Sequence, residues 1–189
     1  MLLAALVLSC AQDDGPVLVD AQWNLTCPSG GEIDCAAPAE TCLGDSGQRE
    51  IVGEHRQVAC TGDPMVVICE AIQRSDGTRV LYLEANISEE FAFELRGATV
   101  DVGNGSMAPT ACNVTIIEDQ VPYDVGDCGQ DPPSIAQPCQ LSNIEISGNE
   151  LAFNLECDAL LSSTTGAGFD VGAVGGGPTT IRFANCTGF

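Results

Sequence analysis

The stretch EDQVPYDVGDCGQD carries Glu118, Asp119, Asp124, Asp127 and Asp131, five carboxylates within fourteen residues. Calcium takes about six to eight oxygen ligands from carboxylates and carbonyls of Pro- and Gly-containing loops like this one. The spacing is not that of an EF-hand. The expectation is a weak calcium site on Asp124 and Asp127, helped by Glu118, Asp119 or Asp131. A disulfide at Cys128 would restrain it. The competing reading is a solvated acidic loop. No other cofactor is implied.

Catalytic chemistry finds less support. The single histidine, His55, lies between charged Glu54 and Arg56, as on an exposed turn or edge strand. A hydrolase triad needs a base held beside a nucleophile, and no GxSxG elbow occurs. A glycosidase needs two carboxylates facing across a cleft. With 27 acids in the chain, some pair always exists, so the count decides nothing. Only Trp23, Tyr82 and Tyr123 could give a sugar-stacking platform its larger polar rings. The Gly-rich run SSTTGAGFDVGAVGGGP lacks the phosphate-loop order, and there is no lysine to reach a phosphate. No catalytic residue is assigned. The enzymatic alternative is a secreted hydrolase using carboxylates or calcium.

The eleven cysteines point to compartment rather than catalysis. No CxxC pair occurs, and one histidine cannot build the mixed zinc patterns. An oxidising compartment with structural disulfides remains. Cys10 stands apart, at the end of the apolar run Leu2 to Leu8. That run has signal-peptide character and is too short to span a bilayer. Val7-Leu8-Ser9-Cys10 resembles the lipobox of bacterial lipoproteins. The resemblance covers the first fifteen or so residues and implies cleavage before Cys10, with a diacylglycerol on its thiol. Ala11 to Gly15 would be the acidic tether of such an anchor. Ordinary secretion with cleavage after Ala11 is the other processing route. Either leaves an even ten: Cys27, Cys35, Cys42, Cys60, Cys69, Cys112, Cys128, Cys139, Cys157 and Cys186. Five precede residue 90 and five follow it. If all pair, at least one bridge joins the two halves, which argues for one domain.

A net charge of −21 with six arginines disfavours nucleic acid, whose phosphates need cationic contacts. Membrane contact is expected only through the lipid. The implied location is outside the cytoplasm, on the bacterial outer membrane, or secreted. The partner would be an unknown protein or glycan. Five asparagines, Asn24, Asn86, Asn104, Asn113 and Asn185, sit in N-x-[ST] sequons, which keeps a eukaryotic secreted glycoprotein as a further alternative.

These residues must be positioned by strands. Helical periodicity is scarce, and short alternating or β-branched runs between turn residues are common. The clearest is LSNIEISGNELAFNLEC, a hairpin turning at Ser147-Gly148-Asn149-Glu150, with Leu151, Phe153 and Leu155 on one face. The pattern predicts an all-β, disulfide-rich β-sandwich or jelly roll of about 8–10 strands. Residues 1–9 would be the signal peptide, 10–19 the tether and 20–189 a single domain. Loops are expected at 28–50, 103–111, 118–138 and 162–178. FAFEL at 91–95 and LAFNL at 151–155, each followed by Asp-Val-Gly, suggest a duplicated sheet unit.

Overall fold

A computed structural model describes residues 16–26, 47–54, 66–86, 91–101, 109, 112–118, 121–129, 131–134, 137–164, 168–173 and 175–189. The side chains of 26, 47–54, 91, 92, 100, 101, 118 and 125–127 lie outside that description. The described residues are all-β and contain no helix. They form eleven strands: β1 (Leu18–Thr26), β2 (Gly47–Glu54), β3 (Val66–Gln73), β4 (Thr78–Asn86), β5 (Phe91–Asp101), β6 (Cys112–Glu118), β7 (Val121–Gly129), β8 (Cys139–Ser147), β9 (Glu150–Leu161), β10 (Gly168–Gly172) and β11 (Thr179–Ala184).

All eleven belong to one hydrogen-bonded sheet that folds into two layers. The first layer is the antiparallel meander β3-β4-β5-β6-β7. In the second, β9 and β1 lie on either side of one slot, which β10 fills at one end and β11 at the other; β8 and β2 flank them. The layers join at a corner where β7 and β8 run parallel for only two residue pairs, Cys128↔Cys139 and Gly129↔Gln140. They meet again where the segment after β11 lies along β3. There Ala71 N–H donates to the Thr187 carbonyl (2.8 Å), and Thr187 N–H donates to Cys69 (2.9 Å).

The core forms between the layers because alternate residues on each strand point inward. Trp23 of β1, Phe93 of β5 and Phe153 of β9 make a chain of ring contacts with centroids 6.2 and 6.3 Å apart. The two echoing segments therefore face each other, each giving its third residue to one aromatic cluster. Three disulfides brace this body: Cys69–Cys186, Cys112–Cys128 and Cys139–Cys157. The first joins the two halves of the chain. Cys112, Cys128, Cys139 and Cys157 are successive register partners across β6, β7, β8 and β9. The other two bridges thus lie side by side across the corner. Cys10, Cys27, Cys35, Cys42 and Cys60 lie outside the described residues.

Three expectations need correction. The supposed loop 118–138 contains β7, because Tyr123 and Cys128 turn inward and β7 pairs along β6 despite Pro122. The supposed loop 162–178 contains β10, whose Phe169 and Val171 are buried on alternate positions. Both stretches are short and rich in Gly or Pro, which hid a two-residue period. The third is the start of the body: β1 begins at Leu18, and Val17 and Val19 are already buried, so the strand reaches into the span read as tether. Among the described residues the strands number eleven, where about 8–10 were expected.

Candidate functional site

The acidic segment is a hairpin. Glu118 ends β6 opposite Val121, and Asp124 lies on β7 opposite Thr115 with its side chain exposed. Asp131 is exposed at a bend beyond the strand. Asp127 belongs to β7, but its side chain, like that of Glu118, is outside the described set, as is the whole of Asp119. Among the described residues, no three His, Cys, Asp or Glu side chains gather closely enough to hold a metal ion. Two of the three aromatic candidates for sugar stacking are core residues, since Trp23 is 1% and Tyr123 8% exposed. Tyr82 alone of the three reaches the surface. His55 lies outside the described residues.

Of the sequon asparagines, Asn113 is exposed on β6. Asn24, Asn86 and Asn185 are half-buried, and Asn104 is outside the description. The Asn185 amide donates to the Pro16 carbonyl at 2.8 Å, and its oxygen accepts from Asn149 at 3.3 Å. A glycan on Asn185 would take one of the two Nδ2 hydrogens, leaving a single N–H for the contact that ties the start of β1 to the end of β11.

Two carboxylates sit in environments that oppose their charge. Burial pushes Glu84 upward first, Glu94 directly across the strands adds to this, and Arg96 opposes it. Arg96 is itself paired with Glu94. Burial also raises Asp170, and Asp158 reinforces it. Against these, Asp170 accepts the Ala159 N–H at 2.9 Å, at a bulge where Ala159 adopts φ 55°. Glu84 and Glu94 are neighbours on one sheet face, not groups facing across a cleft.

The concave feature is on the other layer, where β8, β9, β11 and β1 enclose a hollow of about 940 Å³ on their outward face. Register explains its shape. One row across the four strands reads Asp20, Arg182, Ala152, Glu145. The adjoining row starts with Leu18 opposite Ala184 and ends with Glu150 opposite Ser147. Ala152 and Ala184 on the two middle strands make the floor, and the longer side chains around them, Arg182 and Glu150 on the same strands and those of the flanks, make the rim. On the far side, Thr180 donates to Asn154 Oδ1 at 2.8 Å. A bulge between Ser142 and Glu145, with Asn143 at φ 49°, brings Asn143 and Glu145 to the same wall. Buried Thr179 fixes β11 to β1 beneath this face by donating to the Gln22 carbonyl.

No family model, no curated protein and no solved structure matches this chain. The geometry therefore stands by itself. Asp20 and Glu145 are three strands apart, or about 14 Å at the usual interstrand spacing. Paired glycosidase carboxylates stand about 5–9.5 Å apart. The arrangement offers fixed hydrogen-bonding and charged groups over a small apolar floor, which suits holding a ligand. Sequence reading missed this site because Asp20, Ala152, Arg182 and Glu145 come from four strands. The only trace it leaves is the polar half of each strand's alternation.

Proposed function

We propose that the protein is a lipid-anchored, disulfide-stapled binding protein of the cell envelope, held on the outer membrane through Cys10. Its ligand surface is the hollow on β8, β9, β11 and β1. The observation that carries the binding role is this concave face, with mixed polar groups set on four hydrogen-bonded strands. Strands hold such groups more tightly than loops do. The three disulfides place the chain in an oxidising, extracytoplasmic compartment. The anchoring rests on the apolar run, Ser9-Cys10 and the acidic residues behind them.

Intact-mass analysis of membrane-fraction protein tests the anchor. A diacylglyceryl adduct on Cys10 is expected, and Cys10→Ser should release the protein into the soluble fraction. A mature chain starting at Gln12 without lipid would overturn the anchoring.

A further inference from the structure

We infer that the hollow receives a basic peptide segment, deepening the binding role proposed above and resting on it. The inference comes from charge complementarity over a shaped floor. The rim carries Asp20, Glu145 and Glu150, all exposed. Arg182 is the only cation lining the hollow, and it makes no ion pair among the described residues. The lining therefore keeps an excess of two negative charges, inside a chain whose net charge is −21. A field of that sign draws cations toward a concave surface and raises their local concentration. Ala152 and Ala184 supply an apolar floor, and Leu18 adds apolar surface at its β1 edge. Lysine and arginine have long aliphatic stems that lie along apolar surface while the charged heads remain in polar surroundings. A basic side chain laid over Ala152 would meet Glu145 and Glu150 on the β8–β9 side. Arg182 repels a cation from the β11 side and so biases the ligand toward those two carboxylates.

The probe is fluorescein-labelled pentalysine, titrated into the full chain by fluorescence anisotropy at low and physiological salt. Saturable binding that weakens with salt is expected. Glu145→Gln with Glu150→Gln should weaken it about tenfold, the sum of two partly exposed charge contacts. Glu70→Gln with Asp124→Asn changes net charge equally on the other layer, and should weaken binding by less than about twofold. Arg182→Gln should tighten binding. All five residues are exposed, so these changes leave the core intact. Equal losses from both double variants, weaker binding by Arg182→Gln, or no saturable binding would each overturn the inference. So would saturable binding of neutral maltohexaose competed by no pentalysine, though that result would preserve the binding role. The lipid assay on Cys10 is independent of every arm.

Discussion

At the scale of single residues, the pH response follows from Glu84 and Asp170. Both are held above the ordinary carboxylate range, chiefly by burial. Between the ordinary and the raised value, the folded state binds more protons than the unfolded one. Their contribution therefore favours folding below the ordinary carboxylate value and is lost as pH rises through the raised value. Asp76 has the opposite sign. The Thr78 hydroxyl, then the Thr78 N–H, hold its pKa low, so its contribution is present above the ordinary value and lost as pH falls through the lowered one. Asp76 is fully exposed in its turn, so the two half-buried groups dominate. The melting temperature is expected to rise as pH falls through the raised values toward the ordinary carboxylate value. Glu84→Gln and Asp170→Asn should each flatten that rise in a thermal-shift series. A series with the same slope in both variants would show that other carboxylates set it.

At the scale of elements, the disulfides differ in the chain they constrain. Cys69–Cys186 spans 117 residues, whereas Cys112–Cys128 and Cys139–Cys157 span 16 and 18. In the loop-entropy model, the long bridge contributes about 4–5 kcal/mol and each short one about 3 kcal/mol. Urea unfolding of the paired Cys→Ala variants should reproduce that order. The long bridge also sits where the end of the chain meets β3. Gly188 has φ +83°, and a Cβ there would collide with the Ala71 carbonyl. Gly188→Ala should therefore loosen the same seam without touching a cysteine, and amide exchange at Ala71 and Thr187 should rise. Hairpins were the elements most legible in the sequence. The turn at Gly148 has φ +61°, and Leu151, Phe153 and Leu155 are buried in alternation as expected. The β3–β4 turn has a local signal too, because Asp76 and Gly77 are turn-forming residues. Bulged and interrupted strands were not legible. Arg96 and Gly97 form a bulge within β5, and Asn143 shifts the phase of β8 so that Ile144, not Asn143, is inward. One inserted residue reverses the face of everything beyond it, and no local composition announces it.

At the scale of the whole molecule, charge and layering act together. With −21 charges and six arginines, self-repulsion opposes the compact state. Raising NaCl from about 20 mM to about 0.5 M shortens the screening length to a few ångströms. The melting temperature should rise as a result, and a fall would show that attractive pairs outweigh repulsion. The sequence by itself determined the all-β class, the oxidising compartment and the need for a bridge between the halves. Those properties follow from composition, two-residue periodicity and cysteine parity, which are local or countable. Only the tertiary structure decided that Cys112, Cys128, Cys139 and Cys157 share one row, that Phe93 meets Phe153, and that an acidic stretch became a hairpin. It also decided the hollow. Asp20 and Glu145 are 125 positions apart in the chain, and Arg182 follows after another 37. Their proximity is a consequence of strand order and register, which arise from how distant strands pair, and no residue carries that information alone.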